Sequence, residues 1–391
     1  MQRYLEQQAN IVEQVLTEHG VPARVAGGTL SPRLVHFQLQ LPPTLRLGRL
    51  TPALPALAEG LGVDAVRLAP DPDSGQPTLE VPRPDPITVR LLPLARTVAE
   101  IAPPCTATLG QDVAGAPLLL RLDAPEVGPV LICGDREAGK SALLRSMTLS
   151  LALHNGPDTL RLLLVDLSGP ARRGTRGGTW AEMDALPHLV GDIARDPQEA
   201  RLRLRWVARL VASRAELAQE GEPIEGANLV VVIDGLDALL AGRNGADMEA
   251  MIKEIAAGGD LGVHLVAAGV DATLGDLAGW GARVVGRVRD AAAAAVAAGV
   301  RGTGAEGLLG RGDFLAVLGG DVIRLQSGFA TPAEVARTVA LLCECADERL
   351  GIPGRRAARP GAIPATDDEP AARRGLWKAN RKPVRLLKSG S

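Results

Sequence analysis

The chain has 391 residues, 46% of them hydrophobic, so it is long enough for two or three domains that each bury a core. Its formal net charge of -2 argues against a surface that binds nucleic acid everywhere, because neutralising phosphates requires concentrated Lys and Arg. The four cysteines lack the spacing of zinc ligands, and no stretch approaches the roughly 18 apolar residues that a membrane span needs. The start of the chain is too polar for a signal peptide. The composition therefore favours a cytoplasmic globular protein without a membrane span.

Residues 1–104 predict a small α+β domain followed by a proline-rich connector. Apolar periodicity indicates a helix, a strand, a second helix and a second strand, in that order, at residues 3–19, 34–40, 50–61 and 65–68. Gly20 is expected to cap the first helix. The density of proline between residues 71 and 104 favours turns and a connector over a packed helix.

Residues 105–350 predict a second domain of α/β class with a parallel central sheet. Short, fully apolar runs alternate there with helical stretches, and these runs are residues 129–133, 162–165, 229–233 and 264–268. Apolar strands separated by helices are typical of a parallel sheet that is covered on both faces. Residues 351–391 are rich in Pro, Arg and Ala and end with basic residues, which predicts a disordered basic tail.

A phosphate-binding loop, or Walker A motif, stands between an apolar strand and a helix. The sequence G-x-x-x-x-G-K-S is formed by Gly134, Asp135, Arg136, Glu137, Ala138, Gly139, Lys140 and Ser141. Backbone N–H groups of such a loop turn towards the β-phosphate, Lys140 would reach the β- and γ-phosphates, and the Ser141 hydroxyl would bind Mg²⁺. Only Lys140 and Lys253 are lysines before Lys378, which strengthens the functional interpretation. We therefore expect ATP and Mg²⁺ as ligands.

A second acid should close a later strand, and Asp234 follows the apolar run 229–233 as required. An Asp in this position is also a common helix cap, but the phosphate-binding loop upstream favours a role at the metal. A hydrolysing motor needs a further carboxylate that orients the attacking water, usually the next residue, and that residue is Gly235. Asp237 is a candidate substitute, with capping of the following helix as the alternative.

Several segments in the same order resemble the FtsK/SpoIIIE family of DNA translocases across roughly residues 3–345. The most specific is GAEGLLGRGDF at 304–314, which is similar to the family's GAExLLGxGDML. Other similar segments are LGQDVAG at 109–115, LPHL at 186–189, LRW at 204–206, GVHLV at 262–266 and IRLQ at 323–326. The resemblance implies a RecA-like P-loop core with a preceding α domain, assembled into a hexameric ring that moves along double-stranded DNA using ATP. It also implies that the membrane anchor and γ domain of some members are absent here.

The departures from the family pattern surround the expected γ-phosphate. The family's Asp-Glu pair appears as Asp234-Gly235, its LATQRP reads AAGVDA at 267–272, its DPK reads DLS at 166–168, and its SRTIL segment is replaced by alanines at 291–295. These losses imply weakened hydrolysis. One hypothesis is that the chain is an ATP-dependent DNA translocase. The alternative is a hydrolysis-deficient, nucleotide-binding relative with a structural, assembly or secretion-coupling role. Such a role includes the coupling of protein substrates.

Arginines supply three further hypotheses. Arg172, Arg173 and Arg176 lie on a Gly-rich stretch where DNA phosphate contact and an ordinary solvated loop are equally open. Arg283 and Arg311 are candidate arginine fingers for a neighbouring subunit, with local pairing as the alternative. The basic tail could bind DNA or another acidic partner, or serve solubility alone.

Overall fold

The computed structural model describes residues 2–42, 45, 47–70, 77–169, 180–241, 244–349 and 385–386. Within these residues the chain forms a four-stranded sheet and a ten-stranded sheet. The first elements in chain order are α1 (Gln2–Glu18), β1 (Arg24–Leu30), β2 (Leu34–Gln40), α2 (Leu54–Leu61), β3 (Arg67–Pro70) and β4 (Pro77–Pro82). Their four strands are antiparallel in the order β1-β2-β4-β3.

The small sheet buries a core of its own against α1 and α2. Val12 and Leu16, four residues apart on α1, are fully buried in the same cluster as Phe37 of β2 and Leu57 of α2. Gly20 has a φ of 70° just beyond α1, as the predicted cap requires. The amphipathic pattern of the sequence therefore gives the predicted α+β arrangement in this region.

The larger sheet is built from the rest of the described chain. Its strands are β5 (Thr106–Asp112), β6 (Pro117–Arg121), β7 (Val130–Cys133), β8 (Leu160–Asp166), β9 (Asn228–Asp234), β10 (Val263–Gly269), β11 (Ala282–Val285), β12 (Asp313–Leu318), β13 (Asp321–Ser327) and β14 (Arg385–Leu386). The helices are α3 (Leu91–Val98), α4 (Lys140–His154), α5 (Pro197–Glu220), α6 (Leu236–Leu240), α7 (Gly245–Ala256), α8 (Ala291–Ala298) and α9 (Pro332–Arg349). Separate buried clusters cover the two faces of this sheet.

The strand order is β14-β6-β5-β13-β12-β11-β7-β10-β9-β8. From β11 to β8 the neighbouring strands are parallel, which confirms the predicted core. From β11 to β6 they are antiparallel, an extension that the sequence analysis did not predict. Ligands of such sheets bind outside the carboxyl ends of the parallel strands, and the end of β7 and the end of β9 meet there on either side of β10.

The expectation of a connector without a packed helix at 71–104 is wrong for residues 77–98. β4 completes the small sheet, and α3 buries Leu91, Leu94 and Val98, with Leu91 in the core of the larger sheet. Pro93 lies in the first turn of α3, where its missing N–H costs no helical hydrogen bond. Proline density alone did not distinguish this tolerated position from a break.

A cluster of charged groups, which we call the Arg324 cluster, joins the two sheets. It consists of Arg324 and Asp313 from the larger sheet and Arg67 and Glu80 from the small one. Arg324 contacts Asp313 through Nε and Nη2, at 2.9 and 2.7 Å, and also bonds to Glu80. Arg67 bonds to Glu80 at 3.0 Å. Burial alone would lower the pKa of Arg324, but the Asp313 and Glu80 carboxylates more than compensate and raise it, so this guanidinium stays charged.

No helix in the described part of the chain is long and apolar enough to cross a membrane. The predicted tail at 351–391 lies outside the described residues except for β14, which pairs in parallel with β6. The boundaries at 104 and 350 remain predictions.

Candidate nucleotide-binding site

The carboxyl ends of the parallel strands border a cleft of about 1130 Å³. The loop between β7 and α4, the end of β9 and the segment after β10 contribute to its lining. Helix α8 also lines it, with Ala292, Ala293 and Val296. Polar groups of the phosphate-binding loop and small apolar side chains therefore share the lining of the cleft.

The phosphate-binding loop has a backbone conformation that depends on its glycines. Gly139 has a φ of 103°, and a Cβ there would come within 2.7 Å of the Gly312 nitrogen, so no other residue fits without rearrangement. Glu137 also takes a positive φ, 64°, which is uncommon outside glycine. Lys140 begins α4, and its Nζ donates to the carbonyl oxygens of Gly134 and Asp135 at 2.8 and 2.9 Å.

A second loop, residues 309–312, supports the phosphate-binding loop through its backbone. The N–H of Arg311 donates to the carbonyl of Glu137 at 3.0 Å, and that of Gly312 to the carbonyl of Ala138 at 2.7 Å. From the turn between β1 and β2 of the small sheet, Arg33 donates to the carbonyl of Gly310 at 2.5 Å. The segment that most resembles the FtsK/SpoIIIE motif therefore lies between the phosphate-binding loop and the small sheet.

Asp234 is buried at the end of β9, and each of its carboxylate oxygens accepts a hydrogen bond. The Ser141 hydroxyl donates to Oδ1 at 3.0 Å. The Trp180 indole N–H donates to Oδ2, also at 3.0 Å. Ser141 and Asp234 are 93 residues apart, and the sheet brings them together as the sequence predicted.

Burial shifts the pKa values of both charged groups of this site, Asp234 and Lys140. It raises the pKa of Asp234, with help from the neighbouring Asp166, while hydrogen bonds from Trp180 and Ser141 oppose the rise. Burial also lowers the pKa of Lys140, although nearby acidic groups oppose that change. The partly buried ammonium and the buried carboxylate are each destabilised when charged, so both gain from a ligand of opposite charge.

The residue after Asp234 leaves no room for a side chain. Gly235 has a φ of 97°, and a Cβ built on it would lie 2.7 Å from the carbonyl carbon of Leu167 and 2.9 Å from the nitrogen of Ser168. The Leu167 N–H donates to the carbonyl of Asp234 at 2.7 Å and fixes this close approach. Position 235 therefore lacks the water-orienting Glu of the family, and its backbone conformation disfavours any residue other than glycine.

Asp237 lines the cleft, but its carboxylate already accepts two backbone hydrogen bonds. The N–H groups of Val270 and Asp271 donate to it at 2.7 and 2.8 Å. It lies in the first turn of α6, whose N-cap position is Gly235. The carboxylate thus holds the segment after β10; a role in activating water remains a prediction.

The candidate arginine fingers differ in their surroundings. The guanidinium of Arg283 donates to the carbonyls of Val296, Ala297 and Gly275, so its observed partners are local backbone groups; a role as an arginine finger remains a prediction. Arg311 is exposed beside its own phosphate-binding loop, with a φ of 50°. The candidate DNA contacts Arg172, Arg173 and Arg176 lie outside the described residues.

Two features of the site, one behind Asp234 and one lining the cleft, were missed in the sequence. Trp180 carried no motif, and its only signal was the rarity of aromatic residues, which make up 2% of the chain. The alanine run of α8 was considered only as a departure from the family pattern. Because almost all of its residues are alanine, the sequence does not distinguish a buried face of this helix from an exposed one. Both features became recognisable only through contacts across the fold.

The residues present fit a magnesium nucleotide. The Ser141 hydroxyl and the Asp234 carboxylate supply oxygen donors of the kind that Mg²⁺ prefers. The N-terminus of the 15-residue helix α4 begins at the loop and favours an anion there. Lys140 adds a partly buried positive charge 2.8 Å from the loop's backbone. The combination suits a triphosphate better than a neutral ligand.

Strand order and loop together define a P-loop NTPase of RecA-like fold. A family model described as the FtsK/SpoIIIE family matches residues 96–228, and a model described as the FtsK alpha domain matches residues 1–83. The chain therefore carries a segment of the FtsK/SpoIIIE family at residues 96–228 and an FtsK alpha domain at residues 1–83, as its motifs predicted.

Curated relatives agree over most of the chain. DNA translocase SftA of Bacillus subtilis is 28% identical over 367 residues, which are 86% of this chain and 37% of that protein. DNA translocase FtsK of Leptospira interrogans is 26% identical over 361 residues, which are 85% of this chain and 37% of that protein. This chain therefore spans little more than a third of the length of these relatives.

Among solved structures, the chain is similar to the pCW3 conjugation coupling protein TcpA, solved as a monomer with ATPγS. The match has a TM-score of 0.55 at 16% sequence identity and covers 86% of this chain and 99% of that one. A similarity at this level of identity supports the fold.

Proposed function

We propose that this chain binds ATP with Mg²⁺ and acts on double-stranded DNA as a subunit of a homo-oligomeric ring, with hydrolysis slow or absent. The contact that carries the proposal is the hydrogen bond from Ser141 to Asp234 beside Lys140. In this arrangement Lys140 would neutralise the β- and γ-phosphates, and Ser141 and Asp234 would hold Mg²⁺ or its water shell. The bound metal would screen the negative charge of the phosphates.

The second half of the proposal concerns the missing carboxylate. Removing the residue that orients attacking water leaves the binding groups intact, so affinity and turnover are expected to separate. The Gly235 conformation and the backbone bonds of Asp237 support slow turnover. Bound ATP would then stabilise one conformation of the chain or of its contacts with neighbours.

DNA as a substrate is proposed from the relatives, two of which are named DNA translocases. Arg172, Arg173 and Arg176 are the proposed phosphate contacts, and a hexamer is the proposed ring. The second candidate function is a DNA translocase that turns over ATP, and the same names favour it. In that case another carboxylate of the cleft, with Asp237 as the sequence-based candidate, would orient water.

Nucleotide binding and turnover should be measured on the same preparation. Calorimetric titration with ATPγS and Mg²⁺ is expected to give saturable binding that Lys140→Ala abolishes, whereas Lys253→Ala, on the exposed face of α7, binds normally. Steady-state ATP hydrolysis is expected to stay near the background with and without linear duplex DNA. Turnover that DNA stimulates and Lys140→Ala abolishes would establish the translocase instead, and absence of binding would overturn both.

DNA binding and ring formation need separate tests. Mass photometry with ATPγS and Mg²⁺ is expected to show a ring that Lys140→Ala fails to form. A mobility-shift assay with duplex DNA should weaken when Arg172, Arg173 and Arg176 are all changed to Ala, because each removes a phosphate contact. Unchanged affinity for DNA would remove these arginines from the interface. A chain that stays monomeric under all conditions would contradict the ring.

A further inference from the structure

Trp180 contacts the candidate metal carboxylate through the polar atom of its ring. The indole N–H donates to Oδ2 of Asp234 at 3.0 Å, and the Trp180 side chain is 1% exposed. A short 3₁₀ turn, Ala181–Met183, follows it, and the N–H of Met183 donates to the carbonyl of Trp180 at 3.0 Å. The ring is therefore held in the core in a fixed position, with its N–H directed at the carboxylate.

The second oxygen of Asp234 needs a partner that does not compete with a metal. Oδ1 accepts from Ser141, and Asp166 of β8 is paired in register with Asp234, so a second negative charge lies nearby. A Lys or Arg on Oδ2 would cancel the charge that attracts Mg²⁺. An indole N–H has no net charge and cannot accept, so it fixes the carboxylate plane and leaves its negative charge intact.

The orientation of Asp234 sets the orientation of Ser141. A hydroxyl that donates its proton to Oδ1 directs its lone pairs away from that carboxylate, which leaves them available to bind a cation. A carboxylate free to rotate would lose this alignment. Outer groups that hold metal ligands in this way commonly change metal affinity by about 10- to 100-fold when removed.

We propose that Trp180 is a positioning residue for magnesium, which acts by fixing the Asp234 carboxylate and, through it, the Ser141 hydroxyl. The proposal deepens the proposed function and rests on magnesium-dependent nucleotide binding at this loop. It predicts that the indole N–H contributes to the magnesium dependence of nucleotide affinity more than to affinity for the nucleotide alone.

The test compares Trp180→Phe with Trp280→Phe by calorimetry with ATPγS, in EDTA and across a range of Mg²⁺ concentrations. Trp280 is a matched control because it is also buried and its indole N–H donates to a backbone carbonyl, that of Leu274, at 2.7 Å. We expect Trp180→Phe to bind in EDTA like the unaltered chain but to need about tenfold more Mg²⁺. Trp280→Phe should leave the Mg²⁺ requirement unchanged.

A spectroscopic measurement covers the case in which Trp180→Phe does not fold. A chain with Trp206, Trp280 and Trp377 replaced by Phe retains Trp180 alone, and its emission should change when Mg²⁺ is added to the ATPγS-bound protein. An unchanged Mg²⁺ requirement in Trp180→Phe, or an unresponsive Trp180 emission, would overturn the proposal. If the unaltered chain shows no magnesium-dependent binding, the proposed function itself fails, which is a separate outcome.

Discussion

The backbone of Gly235 packs directly on the backbone of Leu167. A Cβ at position 235 would lie 2.7 Å from the Leu167 carbonyl carbon and 2.8 Å from its oxygen, and the glycine takes a φ of 97°. The ends of β8 and β9 are therefore closed against each other at the position where the family carries its catalytic Glu. The backbone conformation at position 235, as well as the residue type, therefore excludes a carboxylate there.

Gly235→Glu is consequently expected to leave ATP hydrolysis near the background and to destabilise the fold. The left-handed conformation and the Leu167 contact together should cost more than about 2 kcal/mol, and Gly235→Ala should show most of that loss. Guanidinium unfolding measures the stability, and a coupled assay measures the hydrolysis. Gly259→Ala is the control because a Cβ at Gly259 meets nothing within 4 Å. A Gly235→Glu chain that is stable and hydrolyses ATP would refute this interpretation.

The Arg324 cluster should dominate the contact between the two sheets. Replacing Glu80 by Ala leaves the buried guanidinium of Arg324 with Asp313 alone and removes the partner of Arg67, so we expect a loss of about 3 kcal/mol. Chemical denaturation monitored by circular dichroism gives this value. Glu249→Ala, which removes a pair with Lys253 that is exposed on α7, should change stability by less than about 0.5 kcal/mol. Equal effects of the two substitutions would contradict the importance of burial.

Local patterns predicted the elements that form the nucleotide site. A strand, a G-x-x-x-x-G-K-S loop and a helix are consecutive in sequence, and Asp234 ends a run of apolar residues, so each could be recognised without a partner. Their meeting at one sheet edge followed from the general geometry of parallel sheets. The family-like segments occur in the same order as in the FtsK/SpoIIIE family, which supported the assignment of these elements.

Other features depend on contacts between distant residues and had no local signal. Trp180 lies 54 residues before Asp234, and Arg33 lies 277 residues before Gly310. The antiparallel strands β5, β6 and β12 are almost fully buried, so their apolar runs lack the two-residue alternation of half-buried strands. Asp237 was a candidate because it is an acid two residues after Gly235, but its hydrogen bonds are to the segment that follows β10.

Cysteine reactivity should separate into two classes. Burial raises the pKa of Cys105 and of Cys133 to about 12, so at pH 8 almost none of either thiol is ionised. Cys345 is exposed on α9 and should be alkylated first. Timed treatment with iodoacetamide and peptide mass spectrometry would measure this order. Labelling of Cys133 as fast as Cys345 would mean that β7 opens readily, against the packing described here.

His36 should make the small sheet sensitive to acid. Burial lowers its pKa below the ordinary 6.5, as do Arg324 and Arg67, while Glu80 and Asp313 oppose the change. The folded chain then binds this proton less readily than the unfolded chain, so the stability is full above pH 6.5 and is lost as the pH falls towards the lowered pKa. Thermal unfolding between pH 7.5 and 5.5 should show a smaller loss in His36→Asn than in the unaltered chain. His19→Asn, at an exposed site, should match the unaltered chain.

The hydrogen bond from Arg33 to Gly310 makes the phosphate-binding loop depend on residues far outside the larger sheet. The N–H groups of Arg311 and Gly312 donate to carbonyls of that loop, and Arg33 donates to the carbonyl of the neighbouring Gly310. A shortened protein that begins at residue 105 would keep every recognisable nucleotide motif yet lose this support and the Glu80 partner of Arg324. Nucleotide affinity measured on such a fragment would therefore underestimate that of the intact chain.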